Sequence, residues 1–172
     1  EGFNGRHLTD PEFQALARQA LVEYPAEYPE QIAETRELTD AVERDSLTGI
    51  GNRRAFDRAL GALLSQGDAR CTLALIDCDH FKAVNDRASH LAGDRVLQRI
   101  AKVLTQASRK SDLAARFGGD EFAVVFADAG RDEAANVCER IRAAIEHQSD
   151  DGAPAVTVSI GVAAAAPGDN VE

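Results

Sequence analysis

Two short acidic stretches carry the residue types that bind metal ions. The first is Asp77-Cys78-Asp79, directly after an apolar run, and the second is Gly118-Gly119-Asp120-Glu121, inside RFGGDEFAVVF. Carboxylates that meet without a nearby cation repel one another, and a hard divalent cation such as Mg²⁺ removes that cost because it prefers oxygen ligands. Either stretch alone is more often a turn or a helix cap than a site. Together they indicate a metal site if the fold brings them side by side.

Polar residues that suit a nucleotide follow the first acidic stretch. Lys82 adds positive charge of the kind that a triphosphate attracts. Asn85 and Asp94 can hydrogen-bond a purine edge, Asp94 by accepting from the N–H groups of guanine. A turn at Asn85-Asp86 and a favourable charge near a helix N-terminus at Asp94 explain the same residues without a ligand. Spacing alone leaves both interpretations open.

The strands that must position these residues follow from hydrophobic periodicity. Residues 71–76 are continuously apolar, which predicts a strand buried on both faces. Residues 112–117 and 122–127 are predicted to be the two arms of a hairpin with the second acidic stretch at its tip, where glycine suits a turn because it reaches positive φ. Residues 155–163 alternate and are rich in β-branched types, which predicts another strand.

Helices are predicted over residues 53–65, with Asn52 as the N-cap, and over 93–107 and 131–147. After the leading helix the order is β-α-β-β-α-β, which is typical of an α+β, ferredoxin-like fold with an antiparallel central sheet and helices on one face. We expect the first strand to lie centrally, beside the strand that leads into the hairpin. The first acidic stretch would then face the hairpin tip.

Residues 1–44 differ from the remainder and are predicted to form an N-terminal helical segment. Thr9-Asp10-Pro11-Glu12 is a helix-start signal, and residues 30–44 form a second helical stretch rich in Glu, Gln, Arg and Thr. A solvated linker helix explains this composition. A coiled-coil or partner-binding segment is the alternative.

Composition restricts the class of protein. A chain of 172 residues with a formal charge of −10 suits one domain with an appendage and argues against nucleic-acid binding, which requires a basic surface. No run reaches the roughly 18 apolar residues of a membrane span, so no membrane contact is expected from this chain. Cys71, Cys78 and Cys138 have unrelated spacings in apolar surroundings. They are interpreted as buried free thiols, which indicates a cytoplasmic protein. The absence of an initial Met indicates a processed or excised chain.

Five motifs in order resemble the GGDEF family, the diguanylate cyclases. They are DSLTGIGNRRAF (45–56), LALIDCDHFKAVND (73–86), GDRVL (93–97), RFGGDEF (116–122) and VTVSIGVA (156–163). The resemblance implies a GGDEF domain over residues 45–172 with a palm-type fold. It also implies a Mg²⁺-dependent reaction, with Mn²⁺ as an alternative metal, in which two GTP molecules condense into cyclic di-GMP and two pyrophosphates. Because one domain binds one GTP, the resemblance implies that catalysis needs a homodimer.

The resemblance also implies roles for individual residues. The metal ligands would be Asp77, the carbonyl of Cys78, Asp120 and Glu121. The catalytic residues would be Asp120, Glu121 and Lys82, with Glu121 assisting deprotonation of the attacking hydroxyl. The substrate contacts would be Phe81, Lys82, Asn85, His90, Asp94, Gly118 and Gly119. Arg109 and Asp112 fit the family's RxxD site, where the product cyclic di-GMP binds and inhibits.

Two departures from the family pattern weaken these expectations. Ser89 stands where the family usually has Gly before the histidine, and the sequence stops at Glu172, where the family continues with a helix and a basic segment that contacts the triphosphate. The resemblance therefore implies GTP affinity and turnover below the family norm. The alternatives are a weak or inactive module that binds GTP or cyclic di-GMP as a receptor, a structural dimerisation domain, and another purine cyclase or nucleotidyltransferase.

Overall fold

The computed structural model describes residues 42–65, 70–148 and 152–165. The helices predicted within residues 1–44 lie outside the described residues except for 42–44, where Arg44 forms an isolated β-bridge with Gly51 instead of continuing a helix. The elements, in chain order, are α1 (Arg53–Leu64), β1 (Cys71–Cys78), α2 (Phe81–Arg87), α3 (His90–Ala107), β2 (Leu113–Arg116), β3 (Glu121–Ala127), α4 (Arg131–His147) and β4 (Val158–Ala164). The predicted α+β order is therefore confirmed, with the short helix α2 added between β1 and α3.

The four strands form one sheet in the order β2-β3-β1-β4, and every neighbouring pair is antiparallel. This is the ferredoxin-like order that the sequence predicts. One detail of the expectation is wrong: β1 pairs with β3, which leaves the hairpin, and not with β2, which leads into it. The reason is strand direction, because β1 and β2 run parallel and the antiparallel return strand of the hairpin fits between them.

The sheet is covered by helices on both faces. Ile76 of β1 belongs to the larger core together with Ile100 of α3 and Ile141 of α4. Leu73 of β1 belongs to a second core with Phe56, on α1. Alternate residues of β1 therefore enter opposite cores, which confirms the predicted strand buried on both faces.

Helix caps explain two boundaries near the site. The Asn52 side chain accepts a hydrogen bond from the Ala55 N–H at 3.1 Å, as predicted. The Ser89 side chain accepts from the Ala92 N–H at 3.2 Å and so caps α3. A cap of this type contributes about 1 kcal/mol to helix stability. The serine that departs from the family pattern therefore has a local role here. None of the helices in the described ranges is long and apolar enough to cross a membrane.

Candidate functional site

The two acidic stretches meet at one end of the sheet. Asp77, the next-to-last residue of β1, is paired with Glu121, the first residue of β3. Beside this pair the Cys78 N–H donates a hydrogen bond to the Asp120 carbonyl at 3.2 Å. Antiparallel pairing therefore brings together acids that lie far apart in the sequence.

The Asp77 carboxyl lies in an unfavourable electrostatic environment for a charged group. The residue is only 4% exposed. Burial, followed by the negative charges of Asp120, Glu121 and Asp79, raises the pKa of Asp77 to about 7. Negative charge is thus concentrated at this strand end. Within the described ranges, no three His, Cys, Asp or Glu side chains are arranged as a ready-made metal cluster.

The Cys78 thiol is unsuited to metal binding. Burial, followed by the charges of Asp120, Asp77 and Asp79, raises its pKa to about 12. The group that coordinates metals is the thiolate, so the Cys78 side chain is not a favourable metal ligand. Cys71, Cys78 and Cys138 are all free and buried, which agrees with the interpretation of the sequence.

The loop between β2 and β3 needs Gly118 for space. The Phe117 and Gly118 N–H groups both donate to the Glu121 carbonyl, at 2.8 and 3.2 Å. A Cβ on Gly118 would lie 2.3 Å from Glu121 Oε2, whereas a Cβ on Gly119 would have no atom within 4 Å. The expectation that the glycines of this loop adopt positive φ is wrong. Among the described glycines, positive φ occurs at Gly49 and Gly152, and not at Gly118 or Gly119. Gly118 instead leaves room for the Glu121 carboxylate.

Arg116 fastens this loop to the start of the domain. Its Nε and Nη2 donate to the Gly119 carbonyl at 3.1 and 2.6 Å. Its Nη1 donates to both carboxylate oxygens of Asp45 at 3.3 Å. Burial opposes the ionisation of Asp45, but hydrogen bonds from Thr48 and the charge of Arg116 outweigh it and lower the pKa of Asp45. The bridge therefore stays charged at neutral pH.

Arg116 was not among the expected site residues, and its position directly before the two glycines was the signal that could have indicated it. Phe117, the next residue, also anchors the loop. Its ring packs edge-to-face against Phe56 of α1, with centroids 5.1 Å apart, and the Arg53 guanidinium lies 4.4 Å from its centroid. These contacts hold one side of the loop against α1.

Apart from Gly118 and Gly119, the residues expected to contact nucleotide lie on α2 and α3. A Cβ on Gly93 would lie 2.1 Å from Asn85 Oδ1 and 3.1 Å from the Phe81 ring. Asn85 therefore packs directly against the helix position that precedes Asp94. Lys82 and His90 are exposed. The structure thus places Asn85 against Gly93, the residue before Asp94, while Phe81 packs against the larger core.

Asp79 has partners that no motif of the sequence predicts. Its Oδ1 accepts from the Ser159 hydroxyl at 2.8 Å and its Oδ2 from the Thr157 hydroxyl at 2.6 Å. Both partners belong to the segment that forms β4 and the residue just before it. The alternating hydroxyls of Thr157 and Ser159 were the only sequence signal for this contact.

The RxxD residues lie in the turn between α3 and β2. The exposed Arg109 guanidinium pairs with Glu133 of α4 at 2.7 Å. Asp112 accepts from the Arg109 N–H at 2.8 Å and from the Ala127 N–H at 3.3 Å. Arg109 borders a groove between α3 and α4 that Arg140 also lines. Arg140 was not expected from the sequence, because only the packing of α4 brings it to this groove.

Comparison with known proteins agrees with this architecture. The family model for the diguanylate cyclase GGDEF domain matches residues 42–172. Diguanylate cyclase VdcA of Vibrio cholerae is 37% identical over 134 residues, which are 74% of this chain and 39% of that protein. Diguanylate cyclase DgcM of Escherichia coli K12 is 39% identical over 130 residues, which are 74% of this chain and 32% of that protein. The chain thus spans less than half the length of these curated relatives.

A solved structure shares the fold. It is the coiled coil and GGDEF domain of DgcB from Caulobacter crescentus, in complex with c-di-GMP. It aligns with a TM-score of 0.68 at 33% identity and covers 76% of this chain and 73% of that one. The family-model match covers most of the chain, and the fold shared with this solved structure agrees with that match. The chain belongs to the GGDEF domain family.

Proposed function

We propose that this domain is a diguanylate cyclase, which condenses two GTP molecules into cyclic di-GMP with release of two pyrophosphates. The observation that carries the proposal is the pairing of Asp77 with Glu121, in a position where burial and neighbouring acids raise the pKa of Asp77 to about 7. Relatives over 35% identical carry the name diguanylate cyclase, which supports this activity for the family.

The donor set fits Mg²⁺, with Mn²⁺ as an alternative. Asp77, the Cys78 carbonyl, Asp120 and Glu121 offer oxygen ligands only, which hard divalent cations prefer. When bound, such an ion neutralises phosphate charge and favours ionisation of the attacking hydroxyl. The missing part of its shell would come from water and nucleotide phosphates, as Mg²⁺ sites in proteins commonly have.

The other residues would bind and orient GTP. Asn85 on α2 and Asp94 on α3 would hydrogen-bond guanine, and His90 would lie near the ribose or base. Phe81 and the exposed Lys82 would meet the phosphates, where Lys82 offsets negative charge. Gly119, with open space around it, would allow the phosphates to approach the loop backbone, and Gly118 would do so beside Glu121.

The chemical step is a phosphoryl transfer between two bound nucleotides. Each ribose 3′-oxygen attacks the α-phosphorus of the other GTP, so that two new O3′–P bonds replace the bonds to the two departing pyrophosphates. Glu121 accepts or directs the hydroxyl proton. Because each domain would hold one GTP, two copies must face one another, and a homodimer is the proposed active form. The cytoplasm, where GTP is available and buried thiols stay reduced, is the proposed location.

Product inhibition at the RxxD turn is also proposed. Arg109 is exposed beside a groove that Arg140 lines, and arginine forks bind phosphate and guanine well. Asp112 accepts two backbone N–H groups and so shapes the turn. Cyclic di-GMP binding would replace the surface ion pair between Arg109 and Glu133, and such exposed pairs contribute little.

The test is product analysis after incubation with GTP and Mg²⁺. Wild type should form cyclic di-GMP, and the double variant Asp120→Ala, Glu121→Ala should not. Asp132→Ala, an exposed acid on α4, is the matched control and should retain activity. Equal product from wild type and the double variant would overturn the assignment of the site. Tight binding of cyclic di-GMP with no product at high protein concentration would replace the cyclase by a receptor.

A further inference from the structure

Asp79 joins the end of β1 to the beginning of β4 through three hydrogen bonds. Its N–H donates to the Thr157 carbonyl at 3.0 Å. Its carboxylate accepts from the Thr157 hydroxyl at 2.6 Å and the Ser159 hydroxyl at 2.8 Å. We call this arrangement the Asp79 clamp. The residue is 8% exposed, so the clamp lies inside the fold and not on its surface.

The clamp acts on the residues proposed to hold the metal. Asp77 is paired with Ser159, and Cys78 with Val158, in the β1–β4 ladder. On its other side, Cys78 donates its N–H to Asp120. The peptide that presents the Cys78 carbonyl is the one that joins Cys78 to Asp79. Fixing Asp79 therefore fixes the direction of that carbonyl.

The chain also reverses immediately after the clamp. His80 has a left-handed backbone conformation with φ of 57°, and α2 begins at the next residue. Lys82, proposed to meet the phosphates, lies on the first turn of α2. The same clamp thus sets the start of the helix that would carry the phosphate contact.

A buried carboxylate is an expensive way to tie two strands together. Desolvation of a charge is costly, and the charge of Asp79 further disfavours ionisation of Asp77. A neutral residue would make comparable hydrogen bonds without this repulsion. What Asp79 contributes to this end of the sheet is therefore its hydrogen bonds rather than its charge.

We propose that Asp79 is a positioning residue, which orients the Cys78 carbonyl and the Asp77 carboxylate for the cation through its hydrogen bonds to Thr157 and Ser159. This inference rests on the proposed function, because it assumes the metal at Asp77. Residues that orient metal ligands without touching the metal commonly change metal affinity by tenfold or more when they are replaced, on the order of the losses seen at other metal sites.

Three variants separate the hydrogen bonds from the charge. Asp79→Ala removes both. Asp79→Asn removes the charge but still bonds the two hydroxyls, one as acceptor and one as donor. The double variant Thr157→Val, Ser159→Ala removes the hydroxyls and leaves the acid. Thr105→Val, a hydroxyl deletion on the exposed side of α3, is the matched control.

The experiment measures binding of 3′-deoxy-GTP by calorimetry over a series of Mg²⁺ concentrations and without Mg²⁺. This nucleotide lacks the attacking hydroxyl, so binding is measured without turnover. We expect Asp79→Ala and the hydroxyl double variant to need roughly tenfold more Mg²⁺ for half-maximal binding, with unchanged metal-free affinity. Asp79→Asn and Thr105→Val should stay close to wild type. Thermal melts show which variants fold. If Asp79→Ala does not fold, the comparison of wild type with the hydroxyl double variant decides the test.

Two results would overturn the inference while leaving the proposed function intact. One is a wild-type Mg²⁺ requirement in Asp79→Ala and in the hydroxyl double variant. The other is an equal increase in the Mg²⁺ requirement of Asp79→Asn and Asp79→Ala, with no increase in the hydroxyl double variant. That result would show that the charge of Asp79 matters and that its hydrogen bonds do not. Absence of any Mg²⁺ effect in wild type would instead overturn the proposed function, and this inference with it.

Discussion

Asp77 and Glu121 are direct partners across the β1–β3 ladder, with Asp77 almost completely buried. Like charges placed opposite one another destabilise an antiparallel pair. Here the Asp120 backbone is bonded to Cys78 beside the pair, so the acids cannot separate without breaking the ladder. The sheet thus holds acidic side chains together at the cost of its own stability.

Asp77 should make the stability of the metal-free domain fall as pH rises. Its pKa of about 7 in the fold exceeds the ordinary value of 3.8, so the folded state holds the proton more tightly than the unfolded state. The free energy of unfolding should therefore decrease between about pH 4 and pH 7, by a few kcal/mol. Urea denaturation in EDTA checks this, and Asp77→Asn should flatten the profile.

The exposed Asp132→Asn is the control for that measurement and should leave the slope unchanged. Mg²⁺ should stabilise wild type more at pH 8 than at pH 6, because a cation and a proton compete for the Asp77 carboxylate. A parallel decline in wild type and Asp77→Asn would assign the pH dependence to other groups.

Gly118→Ala and Gly119→Ala should differ although the residues are adjacent. The methyl group added at position 118 would collide with Glu121 Oε2 at 2.3 Å, whereas the Gly119 position is open. We therefore expect Gly118→Ala to displace the Glu121 carboxylate and reduce cyclic di-GMP formation by tenfold or more, on the order of the loss of one transition-state contact. Gly119→Ala should fold normally and lose only GTP affinity. Initial rates over a range of GTP concentrations separate the two effects, and identical kinetics would contradict them.

Gly93→Ala should weaken guanine binding through Asn85. The new Cβ would lie 2.1 Å from Asn85 Oδ1, so the amide must move. Alanine is the better helix former by about 1 kcal/mol, which should offset part of the strain and keep α3 folded. Calorimetry with 3′-deoxy-GTP should show weaker binding in Gly93→Ala and Asn85→Ala. The double variant should bind no worse than Asn85→Ala alone, and additive losses would show that Gly93 acts by another route.

Arg109→Ala and Asp112→Ala should separate inhibition from folding. The Arg109 side chain makes an exposed ion pair with Glu133, so its loss should remove cyclic di-GMP inhibition and change stability by less than about 1 kcal/mol. Asp112 accepts two backbone N–H groups, so its loss should cost about 1–3 kcal/mol by leaving them unpaired. Inhibition curves and urea denaturation measure the two quantities. Glu133→Ala should keep the inhibition, and its disappearance there would show that the ion pair itself is needed.

The sequence predicts the strands and helices well because each has a strong periodicity of its own. The apolar run that became β1 and the helix over residues 131–147 are examples. The meeting of the two acidic stretches also follows, since a ferredoxin-like order leaves few places for a hairpin. The pairing of β1 with β3 could not be predicted from local sequence patterns, because it depends on the directions of all the strands in the sheet.

Contacts between distant segments escaped prediction for the same reason. Asp79 bonds residues 78 and 80 positions away, and Arg116 bonds one 71 positions away. Neither partner can be inferred from propensity or spacing. The role of Gly118 escaped because turn statistics describe backbone angles, whereas this glycine makes room for a side chain of the following strand.

Arg116 makes the beginning of the domain and the loop that precedes β3 one mechanical unit. Its rigid, planar guanidinium holds Asp45 on one side and the Gly119 carbonyl on the other. A displacement of the chain at Asp45 would therefore act on Gly119, and the next residue along is Asp120. Together with the backbone hydrogen bonds that join Gly51 to Ala114 and Arg116, this side chain would carry a displacement at Asp45 to the acidic end of the sheet.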